Sequence, residues 1–239
     1  MKKKLDLSPN FTKKPRSLKS IKYVIFHYTG MQSEIESLNR LKNPKSQVSC
    51  HYFIGKNGEI FQMVKDKYIA WHAGKSKWGK IIGLNKHSIG IELVNKGHRY
   101  GYKNFTLKQI NNLIRLCKKI KKKYNIKSEN FLGHSDVAPL RKTDPGERFP
   151  WEKLSRFKIG KWYNLNSNQK KFFYKTEYRK FFFKNLKKIG YRYFNIQKKS
   201  KTDRKIILAF QRRYLPKNVN GSIDKKTLII SYFLANFKN

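Results

Sequence analysis

Residues 21–30 read Ile21-Lys22-Tyr23-Val24-Ile25-Phe26-His27-Tyr28-Thr29-Gly30. A short apolar run rich in aromatic and β-branched residues, closed by glycine, predicts a buried β-strand. The run ends in an imidazole, and a histidine at the end of a buried strand is presented where an open site would sit. Residues 133–146, Gly-His-Ser-Asp-Val-Ala-Pro-Leu-Arg-Lys-Thr-Asp-Pro-Gly, follow another predicted strand at 130–133. They gather His134, Lys142 and Asp144 into one loop, punctuated by a proline and then by Pro-Gly.

Imidazole and carboxylate both bind Zn²⁺ well, and a catalytic zinc takes three protein ligands and leaves its fourth position for water. His27, His134 and Asp144 make such a set. A third stretch, Ser88-Ile89-Gly90-Ile91-Glu92-Leu93-Val94-Asn95, reads as a strand whose apolar pattern is interrupted by Glu92. Desolvation raises the pKa of a carboxyl in that setting, toward the range a general base needs. Lys142, two residues before Asp144, is placed to hold a developing oxyanion with its ammonium group. The turn-rich segment Ala70-Trp71-His72-Ala73-Gly74 offers an aromatic face and an imidazole as substrate contacts, with packing alone as the duller account. Arg141 is a candidate for gripping a carboxylate bidentately. Asp136 is expected to brace its loop rather than to touch metal, and His51 to be supporting or structural. His87 and His98 receive no role.

The blocks VIFHYT, VSCHYFIGKNGEIFQMV, AWHAG, SIGIELVN and GHSDVAPLRKTDPGERFPW stand in one order over roughly residues 20–152. Together they resemble the type 2 N-acetylmuramoyl-L-alanine amidases, the zinc amidase group that includes the peptidoglycan recognition proteins, and within it the AmiD-like branch. The resemblance implies an α/β fold with a central mixed β-sheet flanked by helices. It also implies a Zn²⁺ cofactor, with Glu92 as base and Lys142 as oxyanion partner, and a peptidoglycan or muropeptide substrate cut between the lactyl group of N-acetylmuramic acid and L-alanine. Some relatives carry a tyrosine just before the histidine of the HYF block. Cys50 stands there in this chain, so a tyrosine-assisted variant is not expected.

Strands are predicted at 21–27, 51–55, 59–64, 88–95 and 130–133, with Asn57-Gly58 as a hairpin turn. Helices are predicted over 33–41 and 107–124, the second opened by the capping-box pair Thr106 and Gln109. Residues 1–19 form a basic, polar lead-in expected to be extended or poorly ordered, and 20–158 the catalytic domain. Residues 159–239 change character: helical patterns at 168–189, 206–214 and 225–236, with the motif AFQRRY…NGSIDKKT, resemble a small all-α, three-helix peptidoglycan-binding domain. A helical appendage that merely packs on the catalytic domain is the alternative. As a separable binding unit, it should be removable without loss of cleavage of small muropeptides.

The chain has 239 residues and carries 56 Lys+Arg against 14 Asp+Glu, a formal charge of +42. Such a field attracts polyanions. The lysines run along the whole chain and accompany abundant Asn, Ile, Phe and Tyr, so the charge reads as compositional drift and no specific nucleic acid is expected. The two cysteines require no disulfide: Cys117 lies on an apolar helical stripe, and Cys50 is not needed by a ligand set already complete. No transmembrane run, signal-peptide core or lipobox is visible, which reads as cytoplasmic, whereas the implied substrate points to the periplasm or cell envelope. A monomer is expected. Three other readings compete: an amidase recycling 1,6-anhydro-muropeptides, a recognition module that binds without cutting, and a polyanion binder.

Overall fold

A computed structural model describes residues 3–165 and 177–236. Its centre is a six-stranded mixed sheet in the order β1-β5-β4-β9-β3-β10, with β1 at Lys3–Leu5, β3 at Tyr23–Tyr28, β4 at Tyr52–Ile54, β5 at Ile60–Gln62, β9 at Ser88–Leu93 and β10 at Phe131–Gly133. Strands β4, β9, β3 and β10 run parallel, and β5 turns back on β4. The five predicted strands are all present, each within a few residues of its expected span.

Alternation along these strands decides what each face covers, because successive side chains point to opposite sides. Val24, Phe26, Ile89, Ile91 and Leu93 share one buried cluster with Ile110, Leu113, Ile114 and Cys117 of helix α2 (Leu107–Tyr124). The intervening residues Ile25, His27, Gly90 and Glu92 therefore lie on the opposite face. That face is covered in two parts. Helix α1 (Glu34–Lys42) lies over Phe53 through Leu41, in a cluster that also takes in Cys50. The C-terminal helices lie over Ile25 and Leu132. The site opens between these two covers.

Helix α2 begins at the capping box the sequence announces: Gln109 N donates to Thr106 Oγ1 at 3.1 Å, and Gln109 Oε1 accepts from Thr106 N at 3.0 Å. Asn57-Gly58 does turn β4 into β5, with only Gly58 taking a positive φ, +83°. A Cβ at Gly58 would come within 2.7 Å of the Lys108 carbonyl, so the missing side chain also lets the hairpin tip lie on α2.

Residues 3–17 run in strands, turns and extended stretches and are firmly attached, and Leu18–Ser20 close them with one 3-10 turn. Besides β1, residues Phe11–Thr12 (β2) pair with Ile69–Ala70 (β6). Ser8 Oγ donates to Leu41 O at 2.5 Å, and Asn10 Nδ2 donates to Asn43 O and Val48 O at 2.9 and 3.0 Å. Composition gave no hint of this, because the order comes from side chains that satisfy backbone carbonyls of distant loops.

Short helices α3 (His134–Val137) and α4 (Trp151–Ser155) close the sheet-bearing part, and a small hairpin, β7 (Lys77–Trp78) with β8 (Ile81–Ile82), flanks it. Among the described residues three helices follow: α5 (Tyr178–Ile189), α6 (Asp203–Tyr214) and α7 (Lys225–Asn236). The first part of the predicted 168–189 helix lies outside the described residues. Phe182, Phe183, Leu186, Ile206 and Phe210 of these helices form one continuous buried cluster with Ile25, Leu132, Val137 and Ala138 of the sheet and its loop. The helical unit thus buries, among the described residues, no core of its own that excludes the sheet. Among the described residues no helix is long and apolar enough to cross a membrane.

Candidate metal centre

His27 leaves the end of β3, and Glu92 stands opposite it on β9 in the same row. His134 opens the turn after β10, and the same loop returns Asp144 to it, secured by Ser135 N donating to the Asp144 carbonyl at 2.8 Å. Three donor atoms converge: His27 Nδ1 lies 2.9 Å from His134 Nδ1, and Asp144 Oδ2 lies 3.0 Å from each. All three residues are buried.

The protons on the two rings can be placed from their outer partners. Ser88 Oγ donates to Leu84 O at 2.7 Å, so it must accept from His72 Nε2 at 3.1 Å. His72 Nδ1 is then left to accept from His27 Nε2 at 3.1 Å, which strips His27 Nδ1 of its proton. His134 Nε2 lies 3.2 Å from the Ala73 carbonyl, an acceptor only, and 3.4 Å from Arg141 Nη2, whose closer partners are the Ala73 and Lys75 carbonyls; with Nε2 donating to Ala73, His134 Nδ1 is bare as well. Two imidazole lone pairs and a carboxylate oxygen thus face one point with no proton among them, an arrangement suited to holding a cation. Tetrahedral zinc with ligands about 2.0–2.1 Å away would hold neighbouring donors roughly 3.3 Å apart, close to the separations found.

Burial and the neighbouring His134 bring His27 down to about 4, and His72 is likewise held far below the ordinary histidine range, so both rings stay neutral. Glu92 moves the other way. Burial pushes it up to about 8, with the charge of Asp144 adding and the ammonium of Lys142 opposing. Its Oε2 is out of solvent and has no hydrogen-bond partner among the described residues.

A cleft of about 700 Å³ opens over this group, lined among others by Glu92, Lys142, Trp71, His72 and Arg141. The structure therefore brings together every site residue expected from sequence, but not all in the expected posture. His72 is only 8 % exposed and stands behind His27, where it orients a ring and offers little surface to a sugar. Arg141 is exposed, with its guanidinium spent on the Ala73 and Lys75 carbonyls. Trp71 is half-buried at the rim, its indole donating to Thr12 Oγ1 at 3.2 Å. His51 is wholly buried and structural: its Nδ1 accepts from Gly90 N at 3.0 Å, and burial beside Arg16 lowers it to about 3. Cys50 is buried away from the donors.

Sequence reasoning missed Ser88, Ala73 and Gly90. Gly90 had a signal, a glycine inside a strand next to a carboxylate, which often marks close approach of another group. A Cβ there would meet the His72 ring at 2.4 Å, so Gly90 makes room for the imidazole that orients His27.

Three converging donors beside a carboxylate whose Oε2 is enclosed and unpartnered among the described residues form a set of the kind metal-dependent hydrolases use. Residues 17–147 match the family model of N-acetylmuramoyl-L-alanine amidases, and the chain belongs to that family. It is 36% identical to the N-acetylmuramoyl-L-alanine amidase AmiD of Escherichia coli K12, over 88% of this chain and 81% of that protein. The structure of E. coli AmiD in complex with anhydro-N-acetylmuramic acid-L-Ala-D-γ-Glu-L-Lys superposes with a TM-score of 0.79 at 33% identity, covering 93% of this chain and 91% of that one. The 1,6-anhydro-N-acetylmuramyl-L-alanine amidase AmpD of Haemophilus influenzae is 33% identical but matches only 61% of this chain, over 86% of its own length.

Proposed function

We propose that this amidase is zinc-dependent and hydrolyses the amide between the lactyl group of N-acetylmuramic acid and the L-alanine of a peptidoglycan stem peptide. The observation that carries the reading is the convergence of His27 Nδ1, His134 Nδ1 and Asp144 Oδ2, with the enclosed Glu92 Oε2, unpartnered among the described residues, one strand away. His27, His134 and Asp144 would hold the ion, which when bound supplies Lewis acidity at the scissile carbonyl. Glu92, its pKa already raised, accepts the proton of the attacking water and returns it to the leaving amine. Lys142, on the same loop as Asp144, offers its ammonium to the oxyanion that develops at the carbonyl. Trp71 at the cleft rim gives a saccharide or peptide a flat apolar face. Arg141 acts by fixing the Ala73 carbonyl, and through it His134.

The division into a catalytic part near 20–158 and a helical part from 159 is supported by the shorter match to AmpD beside the nearly full-length match to AmiD. Two substrates fit this reading, intact wall and soluble anhydro-muropeptide. The deciding experiment is mass spectrometry of products from a disaccharide-tetrapeptide and from its 1,6-anhydro counterpart, before and after chelation. Free tetrapeptide that vanishes with chelator and returns with zinc establishes the reaction, and the rate ratio chooses the substrate. Zinc bound with no release from either substrate would favour a recognition module.

A further inference from the structure

Asp136 lies two residues past His134, and the donor set does not use it. Its side chain is fully enclosed, 1 % exposed. Oδ2 accepts from Gly133 N at 2.7 Å and from Arg213 Nη1, while Oδ1 accepts from the Tyr191 hydroxyl at 2.5 Å. Arg213 is itself 3 % exposed. It donates through Nη2 to Phe131 O at 3.1 Å and lies 4.0 Å over the Trp151 ring. One guanidinium from the end of α6 therefore touches both the start of β10 and the turn that carries His134.

The same helix makes two further ties to this loop. Lys205 Nζ donates to Leu140 O at 3.2 Å, and Arg212 Nε lies 3.8 Å from Glu147 Oε2. The segment that carries His134, Lys142 and Asp144 is thus held near its beginning, middle and end by α6. A buried ion pair is weak evidence for stability, since desolvation offsets much of the attraction; its best-attested use is to specify one geometry. Here the specified object is the hydrogen bond from Gly133 N–H to Asp136, which closes the turn that contains His134.

We infer that Tyr191 and Arg213 are positioning residues for the metal-ligand loop: by clamping Asp136 they set the His134 turn, which makes the helical unit a working part of the hydrolase. The inference rests on the reading of His27, His134 and Asp144 as the metal set. Partners that orient metal ligands alter metal affinity or activity by roughly 10–100-fold when lost.

The test uses the full-length protein and its Tyr191→Phe, Arg213→Lys and Asp144→Ala variants. Zinc affinity is read by competition with a chromophoric chelator, ligand geometry by the visible spectrum of the cobalt(II) form, and turnover on the anhydro-N-acetylmuramyl tripeptide. Tyr191→Phe removes one hydroxyl and keeps the ring, so it guards against simple unfolding, which circular dichroism would reveal. The expected result is zinc binding weakened about ten-fold or more in Tyr191→Phe and Arg213→Lys. A displaced cobalt band and a lower kcat should accompany it, with KM within about two-fold. Folded Tyr191→Phe with wild-type zinc affinity, cobalt spectrum and kcat overturns the inference while leaving the metal set intact. Zinc affinity unchanged in Asp144→Ala would instead overturn the metal set, and this inference with it.

Discussion

His27 and Glu92 occupy the same row of two adjacent parallel strands, on the sheet face that α2 leaves uncovered. One residue so placed is a buried neutral imidazole and the other a carboxyl driven up to about 8. The proposed ligand and the proposed base are thereby separated by one strand spacing, about 4.8 Å at the backbone, without any loop having to position them.

Glu92→Gln should keep the metal and lose about 10²–10⁴-fold in kcat, the usual worth of a positioned proton acceptor. It should also stabilise the metal-free protein. A carboxyl that titrates near 8 when folded and in the ordinary range when unfolded holds its proton more tightly in the folded state. Its effect on stability is therefore most favourable below the unfolded value and is lost as pH rises toward 8. In chelator, Glu92→Gln should melt above the wild type at pH 8 by a few degrees, and the gap should close toward pH 5. Scanning calorimetry at the two values checks both sign and window.

Asp144→Ala removes the anionic member of the donor set, and zinc content and turnover should fall together. Zinc added to wild-type protein at about 1,000 times its Kd should stabilise it by about 4 kcal/mol, and this shift should be absent from the variant. Elemental analysis and paired melting curves test it. Full activity in Asp144→Ala would remove it from the site.

Lys142→Ala should retain zinc and lose roughly 10²–10³-fold in kcat, as removal of an oxyanion donor does elsewhere. KM for the tripeptide should change little. Recovery of part of the rate in Lys142→Arg, measured by steady-state kinetics, would tie the loss to the positive charge.

From sequence, deletion of residues 160–239 is expected to spare cleavage of small muropeptides. The shared cluster argues otherwise. Deletion would uncover Ile25, Leu132, Val137 and Ala138 and leave Asp136 without Arg213 and Tyr191. The shortened protein should be aggregation-prone or loosely packed and should retain zinc poorly. A soluble, cooperatively melting fragment with full turnover would show that the helices are separable after all.

Arg16 reaches from the N-terminal segment to the carbonyls of Asp66, Asn85 and Ser88 at 3.0, 3.0 and 2.8 Å. Arg16→Met would orphan these acceptors and should cost about 2–4 kcal/mol, measured by urea unfolding. Added zinc should recover part of the loss, because these carbonyls lie on the segments that carry His72 and Glu92.

Much of the site was legible because the chemistry lies in local patterns. Alternation in β3 and β9 marks His27 and Glu92 as intrusions into apolar strands, and the punctuated loop after β10 carries His134, Lys142 and Asp144 within eleven residues. The helix α2 and its cap follow from sequence for the same reason, since each of their interactions spans four residues or fewer. The postures of His72 and Arg141 were not legible. Each is set by a carbonyl or ring from another part of the chain, and an imidazole in a turn looks the same whether it faces substrate or a second histidine.

The sequence by itself determined the strands, the donor types and their order, because periodicity and residue chemistry are local properties. Only the tertiary structure decided which ring nitrogens are bare, through the chain from Leu84 to Ser88 to His72 to His27. It also decided that Asp136 would be gripped by an arginine 77 residues away. Buried polar groups must find partners wherever packing brings them, and that requirement is met across the fold, beyond the reach of any local pattern.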